Sequence, residues 1–137
     1  MDERVCVVGA GYWGKNHIRT LNQLGALSGI VEPDKNLQAS LSIDYPEVTC
    51  YEDISLALND DFDGFTIATP AETHFEIARK VIMAGKHVLI EKPMTLSIAD
   101  SEELLLLSEK FNVNLMVGHV LLFHPAIRKI KEIINNG

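Results

Sequence analysis

Three glycines, Gly9, Gly11 and Gly14, follow the apolar run at residues 5–8 in the pattern G-x-G-x-x-G. In this pattern the first glycine permits a tight turn, the second lets the backbone approach a pyrophosphate, and the third lets a helix pack close to the strand. The first N–H groups of that helix are unpaired and carry about half a positive charge. The spacing predicts a dinucleotide-binding turn, with a purely structural glycine turn as the alternative.

A dinucleotide site also needs an acidic residue after its second strand, and Glu32 offers that carboxylate. It follows the apolar run at residues 27–31, about 20 residues after the glycines, where an acid accepts hydrogen bonds from the adenosine ribose. The 2′-phosphate of NADP would face this negative charge, so the sequence favours NAD over NADP. Arg19 and Lys35 are positive charges that would reduce this preference.

The triplet Glu91-Lys92-Pro93 follows a further apolar run at residues 87–90. A lysine can hydrogen-bond a substrate hydroxyl or, when neutral, remove its proton. Most lysines at the start of a loop are solvated surface groups, so residue type alone leaves Lys92 open to both interpretations.

The five histidines and two cysteines show no spacing typical of a metal site, so no metal is predicted. His17 and His87 are interpreted as packed side chains, and Cys6 as a small buried hydrophobe. Cys6 and Cys50 provide no disulfide framework, which favours the reducing cytoplasm as the location.

The chain has 137 residues, of which 47% are hydrophobic and 23% charged, and its formal net charge is −7. This length and composition predict one globular domain over residues 1–137. The negative charge argues against nucleic acid or an anionic membrane as a partner. We expect no signal peptide, and no apolar run approaches the ~20 residues that span a bilayer.

The elements that must position these groups are predicted strands and helices in alternation. Apolar runs predict strands at residues 4–8, 27–31, 48–51, 64–68, 87–90 and 115–117. Continuous apolar strands separated by helices are typical of a parallel sheet covered on both faces. The predicted fold class is therefore α/β, a Rossmann-type doubly wound parallel sheet with helices on both faces.

Capping residues and spacing predict where the helices begin and which sides they bury. Asp34, Asp53 and Ser97 are expected N-caps, and Pro125 is expected at the first position of the last helix. The apolar run at residues 104–107 predicts burial on more than one side of its helix. Three isoleucines of the last helix are expected to face inward, namely Ile127, Ile130 and Ile134.

In a parallel sheet, every strand-to-helix turn lies at the edge formed by the carboxyl ends of the strands. We therefore expect five segments to line one crevice, at residues 9–14, 32–34, 69–74, 91–94 and 118–124. Open α/β sheets bind their ligands in such a crevice.

Three motifs in this order, at residues 9–14, 68–74 and 84–93, resemble the N-terminal half of the glucose–fructose oxidoreductase / inositol dehydrogenase / MocA family. The resemblance covers essentially the whole chain, and the three motifs together are far more specific than the glycine turn alone. Residues 11–17 and 118–126 look most like members that act on nucleotide-linked sugars.

The resemblance implies roles at the adenosine and pyrophosphate end of NAD. The backbone of Tyr12 and Trp13, together with the three glycines, would cradle the pyrophosphate. Glu32 matches the acid that holds the adenosine ribose, with Asp34 as a helper.

The resemblance also implies roles at the nicotinamide end. Thr69, Pro70 and His74 match the segment that runs along the cofactor toward the nicotinamide. Glu91 lies where the family contacts the nicotinamide ribose, and Lys92 matches the active-site lysine, which contacts both cofactor and substrate.

The implied reaction is hydride transfer between a sugar carbon and C4 of the nicotinamide, on a sugar or nucleotide-sugar substrate. His124 matches a position that often carries a polar residue near nicotinamide or substrate, and Leu122 stands where many relatives have an arginine. Family enzymes continue into a second domain that supplies a catalytic histidine or aspartate, most of the substrate pocket and usually the oligomer interface. The chain is thus interpreted as a cofactor domain that binds NAD without turnover, from an intact protein expected to be a homo-oligomer.

Two other functional classes stay open at this point. A non-catalytic NAD-binding regulatory module of the same fold would bind the cofactor without turnover even at full length. A methyltransferase also combines a glycine turn with an acid after the second strand, but it has no use for a lysine on the nicotinamide side. Binding of NAD rather than S-adenosylmethionine would separate the last class from the others.

Overall fold

The computed structural model describes residues 3–137, and the first two residues, on which the expected absence of a signal peptide partly rests, lie outside that range. Within it the strands are β1 (Val5–Val8), β2 (Leu27–Val31), β3 (Thr49–Tyr51), β4 (Gly64–Ile67), β5 (His87–Ile90) and β6 (Leu115–Val117). All pairings are parallel, in the order β3-β2-β1-β4-β5-β6. The predicted strands and fold class are confirmed, with strand ends shifted by at most one residue.

Helices connect the strands over the two faces of the sheet. Their bounds are α1 (Tyr12–Gln23), α2 (Lys35–Asp44), α3 (Ile54–Ala57), α4 (His74–Met83), α5 (Ile98–Phe111) and α6 (Pro125–Asn136). The side chains of Asp34, Asp53 and Ser97 accept backbone N–H groups at the starts of α2, α3 and α5. Pro125 is the first residue of α6. The four predicted helix starts are therefore confirmed.

The hydrophobic core has two layers because successive residues of a strand point to opposite faces. Val7 and Ile30 pack with Ile18 of α1 and Leu41 of α2 on one face. The other face carries the larger cluster, which includes Cys6, Phe65, Ile67, Ile82 and Leu104 under α3, α4 and α5. Cys6 is fully buried, as the sequence predicted.

The predicted burial of the leucine run at residues 104–107 is wrong for half of its members. Leu104 is buried and Leu107 is partly buried, whereas Leu105 and Leu106 are exposed. α5 contacts α4, and only the residues on that side of the helix are removed from water. A continuous apolar run on a helix therefore reports composition, not the number of packed sides.

The predicted inward orientation of Ile127, Ile130 and Ile134 is also wrong. All three are exposed, as is every other residue of α6. α6 follows the edge strand β6 and contacts the short 3-10 turn Val120–Phe123 before it, so the described residues place no layer over its apolar side. His87, predicted to be packed, is exposed too, and its Nδ1 accepts the Asn114 N–H at 3.0 Å.

Candidate functional site

The strand ends lie side by side at the carboxyl edge of the sheet. Val8 of β1 pairs with Val31 of β2 and with Ile67 of β4. Ile67 in turn pairs with Ile90 of β5, which pairs with Val117 of β6. The residues that directly follow these positions therefore meet along one crevice, as the sequence predicted.

The glycine turn brings the backbone of β1 close to α1. Gly9 has a φ of +89°, and its N–H donates to the Val31 carbonyl at 2.8 Å. A Cβ on Gly14 would lie 1.9 Å from the Gly9 carbonyl oxygen, so only glycine lets the helix approach the turn this closely. A Cβ on Gly11 would instead project into open space at the mouth of the crevice.

The first turn of α1 presents backbone N–H groups at this mouth. Gly11 is its N-cap and has no side chain that could accept them, and the first helical bond is donated by the Lys15 N–H to the Gly11 carbonyl at 3.0 Å. Tyr12 and Trp13 stand exposed beside the turn in an edge-to-face pair, with ring centroids 5.9 Å apart. This arrangement suits an anion that is flanked by aromatic surface.

Glu32 is buried between the glycine turn and the start of α2. Its Oε2 accepts the Ala10 N–H at 2.9 Å, and its Oε1 accepts the Asp34 N–H at 3.0 Å. Each carboxylate oxygen has a further lone pair, so the group can still accept hydroxyl donors. The carboxylate of Asp34 is itself occupied by the Asn36 and Leu37 N–H groups of α2.

A cavity of about 490 Å³ opens at the edge between β1, β2 and β4. Its lining includes Gly9, Val31, Pro33, Asp53, Thr69 and Pro70. The sheet order reverses at this point, since β2 and β4 lie on opposite sides of β1. Ligands of open α/β sheets bind at such a reversal.

The turn after β4 is held together internally. The Thr73 hydroxyl donates to the Thr69 hydroxyl at 2.7 Å and lies 2.8 Å from the Pro70 carbonyl. His74 is only 1% exposed. Its Nε2 lies 2.9 Å from the Thr69 carbonyl and its Nδ1 lies 2.8 Å from the Pro93 carbonyl. Its ring therefore joins this turn to the one that carries Lys92.

The turn after β5 exposes Lys92 and buries its neighbour. Glu91 is 8% exposed; its Oε1 lies 2.7 Å from Nε2 of His17, and its Oε2 accepts the Lys92 N–H at 3.2 Å. The Lys92–Pro93 peptide bond is cis. A Cβ on Gly118 would lie 3.1 Å from Oε2 of Glu91, so the glycine after β6 leaves room for the carboxylate.

A second cavity of about 570 Å³ lies beside Lys92. Its lining is formed by Lys92, Pro93 and residues 118–122, and includes the side chains of Val120, Leu121 and Leu122. His124, which the resemblance places near the nicotinamide or substrate, does not line this cavity. Its Nδ1 accepts the Ala126 N–H at 3.2 Å and thereby caps α6. Lys92 thus borders an apolar pocket, while His124 lies beyond the residues that line it.

Two side chains of the crevice have contacts that sequence reasoning did not predict. His17 was interpreted as a packed side chain, yet it hydrogen-bonds Glu91 across the sheet edge. The sequence did carry a signal for this contact. His17 comes three residues after Gly14, so both lie on the same side of α1, the side next to the glycine turn. His74 was placed along the cofactor by resemblance, and its buried bridge between two carbonyls leaves no trace in the local pattern.

Burial and hydrogen bonding shift the pKa values of three side chains, one in the core and two toward the carboxyl ends of the strands. Burial raises the pKa of the Cys6 thiol well above its usual range, with the charges of Cys50 and Asp60 adding to the effect. Burial and the hydrogen bond to Asp60 raise the pKa of Tyr51 to about 12. The Ser55 hydroxyl and N–H lower the pKa of Asp53 at the first cavity. Cys6 and Tyr51 are therefore neutral at pH 7, and Asp53 is ionised.

The described residues 3–137 contain no group of three or more His, Cys, Asp or Glu side chains arranged to hold a metal ion. Within the same range, none of the helices combines the length and apolarity needed to cross a bilayer.

The chain is similar in sequence to known proteins. The chain is 31% identical over 130 residues to UDP-N-acetylglucosamine 3-dehydrogenase of Acidithiobacillus ferrooxidans, covering 94% of this chain and 41% of the relative. It is 32% identical over 139 residues to inositol 2-dehydrogenase of Corynebacterium glutamicum, covering 98% of this chain and 41% of the relative. The chain therefore spans about two fifths of the length of these relatives.

The chain is also similar to solved structures of dehydrogenases and related proteins. The WlbA dehydrogenase from Bordetella pertussis, in complex with NADH and UDP-GlcNAcA, superposes with a TM-score of 0.93 at 26% identity, covering all of this chain and 43% of the other. GenD2 from gentamicin A biosynthesis, in complex with NAD, superposes with a TM-score of 0.85 at 30% identity, covering 91% and 37%.

The family model GFO_IDH_MocA, described as an oxidoreductase family with an NAD-binding Rossmann fold, matches residues 3–119. The match includes the glycine turn, Glu32 and the Lys92 turn, which the strand register brings to one edge. The chain belongs to this family of oxidoreductases.

Proposed function

We propose that the chain binds NAD along the carboxyl edge of its sheet, as the cofactor-holding part of an oxidoreductase that acts on a sugar hydroxyl. The observation that carries the proposal is the strand register, which aligns Val8, Val31, Ile67 and Ile90. It brings the glycine turn, the buried carboxylate and the exposed lysine to one crevice. The NAD and NADH complexes of GenD2 and WlbA support the choice of cofactor.

The residues present fit the adenosine half of the cofactor. The backbone N–H groups at Tyr12 and Trp13 and the open space above Gly11 suit a pyrophosphate. Glu32 keeps lone pairs free for the ribose hydroxyls while its carboxylate is held by Ala10 and Asp34. Its negative charge opposes a 2′-phosphate, so NAD is the proposed cofactor rather than NADP. Asp34 acts mainly as the cap of α2.

The nicotinamide half is proposed to lie along Thr69 and Pro70 toward Glu91 and Lys92. When bound, the cofactor supplies the carbon that accepts or gives the hydride. Lys92 is exposed beside the apolar cavity, where its ammonium donates to the oxygen of the reacting hydroxyl and orients it. We propose that Lys92 orients this hydroxyl and that a separate residue takes its proton.

The substrate is proposed to be a sugar, with nucleotide sugars favoured. The support is the match to a UDP-N-acetylglucosamine 3-dehydrogenase and to the WlbA complex with UDP-GlcNAcA. These 137 residues alone are proposed to bind NAD without turnover. Lys92 and the cavity beside it are open to water here, whereas hydride transfer needs an enclosed and fully lined site.

The proposal is tested by titrating the 137-residue chain with NADH and NADPH. Trp13, the single tryptophan of the chain, stands at the first turn of α1, so its fluorescence should be quenched when reduced nicotinamide dinucleotide binds. We expect NADH to bind at least about tenfold more tightly than NADPH, a difference of about 1.4 kcal/mol. Tighter binding of NADPH would overturn the cofactor assignment, and binding of neither would overturn the proposed function.

The matched variant is Gly11→Ala. Because a Cβ at Gly11 meets no protein atom within 4 Å, the substitution is expected to change the free energy of unfolding by less than about 1 kcal/mol. The same Cβ would occupy the space proposed for the pyrophosphate, so NADH affinity should fall by about tenfold or more. An unchanged NADH affinity in this variant would contradict the assigned position of the pyrophosphate.

A further inference from the structure

The turn that carries Lys92 is exposed, yet both neighbours of the lysine are held from the inside of the protein. Exposed turns are commonly the mobile parts of a domain. Here the residue before Lys92 contacts one histidine and the residue after it contacts another. The two histidines come from different helices, α1 and α4.

His17 holds the residue before Lys92. Nε2 of His17 lies 2.7 Å from Oε1 of Glu91, within hydrogen-bond distance, and the two side chains are only 22% and 10% exposed. The other oxygen of Glu91 accepts the backbone N–H of Lys92 at 3.2 Å. A carboxylate anchored at one oxygen keeps the other oxygen in place, so His17 acts on the Lys92 backbone through Glu91.

His74 holds the residue after Lys92. Its buried ring lies 2.8 Å from the Pro93 carbonyl and 2.9 Å from the Thr69 carbonyl. Carbonyl oxygens only accept hydrogen bonds, and a neutral imidazole carries a single N–H. One neutral tautomer therefore bonds Pro93 and the other bonds Thr69, while the imidazolium bonds both.

We propose that His17 and His74 are positioning residues that together fix the turn on which Lys92 stands. The proposal rests on the proposed function only for the use that is made of Lys92. Neither histidine is a catalytic residue, since each acts through a neighbour of the lysine. His17 lies on α1, whose first turn is proposed to bind the pyrophosphate. The same helix therefore supports both the cofactor site and the turn that carries Lys92.

The test is backbone dynamics of the 15N-labelled, cofactor-free chain. In the wild type, the order parameters of the Lys92 and Met94 amides should be close to the rigid value of about 0.85, and in His17→Phe and His74→Phe they should fall toward the flexible range below about 0.6. Phenylalanine keeps the ring but removes both nitrogens. His17→Gln keeps a donor and should retain the rigid value at Lys92.

The control variant is Thr20→Ala, at an exposed position on the outer side of α1, which should leave both order parameters unchanged. Unchanged order parameters in both phenylalanine variants would overturn the proposal, whether or not NADH binds. If a phenylalanine variant fails to fold, the wild type still decides. Slowly exchanging ring N–H signals should be seen at Nε2 of His17 and at Nδ1 of His74, the nitrogen that faces Pro93. Their absence, or a His74 proton on Nε2 alone, would overturn the proposal.

Titration with NADH separates this proposal from the proposed function. If the wild type binds no NADH but is rigid at Lys92, and the phenylalanine variants lose that rigidity, the proposed function is overturned and the positioning role of the two histidines is kept. A chain that binds NADH while both phenylalanine variants stay rigid at Lys92 and Met94 would support the proposed function and overturn the positioning role of the two histidines.

Discussion

Glu32 is a residue at which folding and cofactor binding depend on the same two oxygens. Its carboxylate accepts the N–H groups of Ala10 and Asp34, and so it ties the glycine turn to the start of α2. A ribose that binds there would find the acceptor already oriented. Glu32 therefore has a structural role in the fold that does not depend on a bound cofactor.

Glu32→Gln is expected to weaken both properties. One oxygen becomes an NH₂ group that faces a backbone donor, so the free energy of unfolding should fall by about 1–3 kcal/mol. The loss of charge should also narrow the difference in affinity between NADH and NADPH. Urea unfolding and the titrations described above measure the two effects.

The control for this variant is Glu52→Gln. Glu52 is exposed and pairs with Lys35 on the surface, so its replacement should change stability by less than about 0.5 kcal/mol. Equal stability of the two glutamine variants would show that the bonds of Glu32 contribute nothing to the fold.

At the scale of elements, each strand-to-helix turn is fixed by short local devices. Asp53 illustrates them, because its carboxylate accepts the Ser55 N–H at 2.8 Å and so begins α3 beside the first cavity. The hydrogen bonds from Ser55 lower the pKa of Asp53. A lowered pKa in the folded state means that the ionised form stabilises the fold.

Asp53→Ala is expected to lower the free energy of unfolding by about 1 kcal/mol at neutral pH, whereas Asp53→Asn should retain most of the cap. The advantage of aspartate over alanine is present above its unfolded pKa of about 3.9 and is lost as the pH falls through the lower folded pKa. Urea unfolding of both proteins from neutral to acidic pH checks this. A difference that grows on acidification would contradict it.

At the scale of the whole molecule, the two layers of the core protect one thiol and leave the other accessible. Cys6 is fully buried in β1, and Cys50 is partly exposed on β3. Burial also raises the pKa of Cys6, so little reactive thiolate is present. Low accessibility and weak ionisation therefore both reduce the reactivity of the Cys6 thiol.

A thiol reagent is expected to modify Cys50 in the native chain and Cys6 only after unfolding. In the Cys50→Ser variant, which keeps Cys6 alone, native protein should react at least about a hundredfold more slowly than protein in denaturing urea, because reaction then requires opening of the core. Fast labelling of the native variant would contradict the described packing of β1.

The sequence predicted the sheet, its strands and its helix caps, because these follow from local patterns. It did not predict which apolar surfaces would find a partner, as Leu105, Leu106 and the isoleucines of α6 demonstrate. Periodicity identifies the apolar side of a helix, whereas burial also needs another element over it. The contact between His17 and Glu91 joins residues 74 positions apart, and only the order and register of the strands bring them together.

The alignment of Val8, Val31, Ile67 and Ile90 also makes tolerance to insertion and deletion uneven along the chain. Removing one residue from β5 would draw Lys92 back by about 3.3 Å and turn alternate side chains to the wrong face. Connections at the amino ends of the strands, such as the turn at residues 84–86 around Gly85, lie at the opposite edge and can change length without moving any group of the crevice. Evolutionary gaps in related genes should therefore cluster at one rim of the sheet and avoid the other.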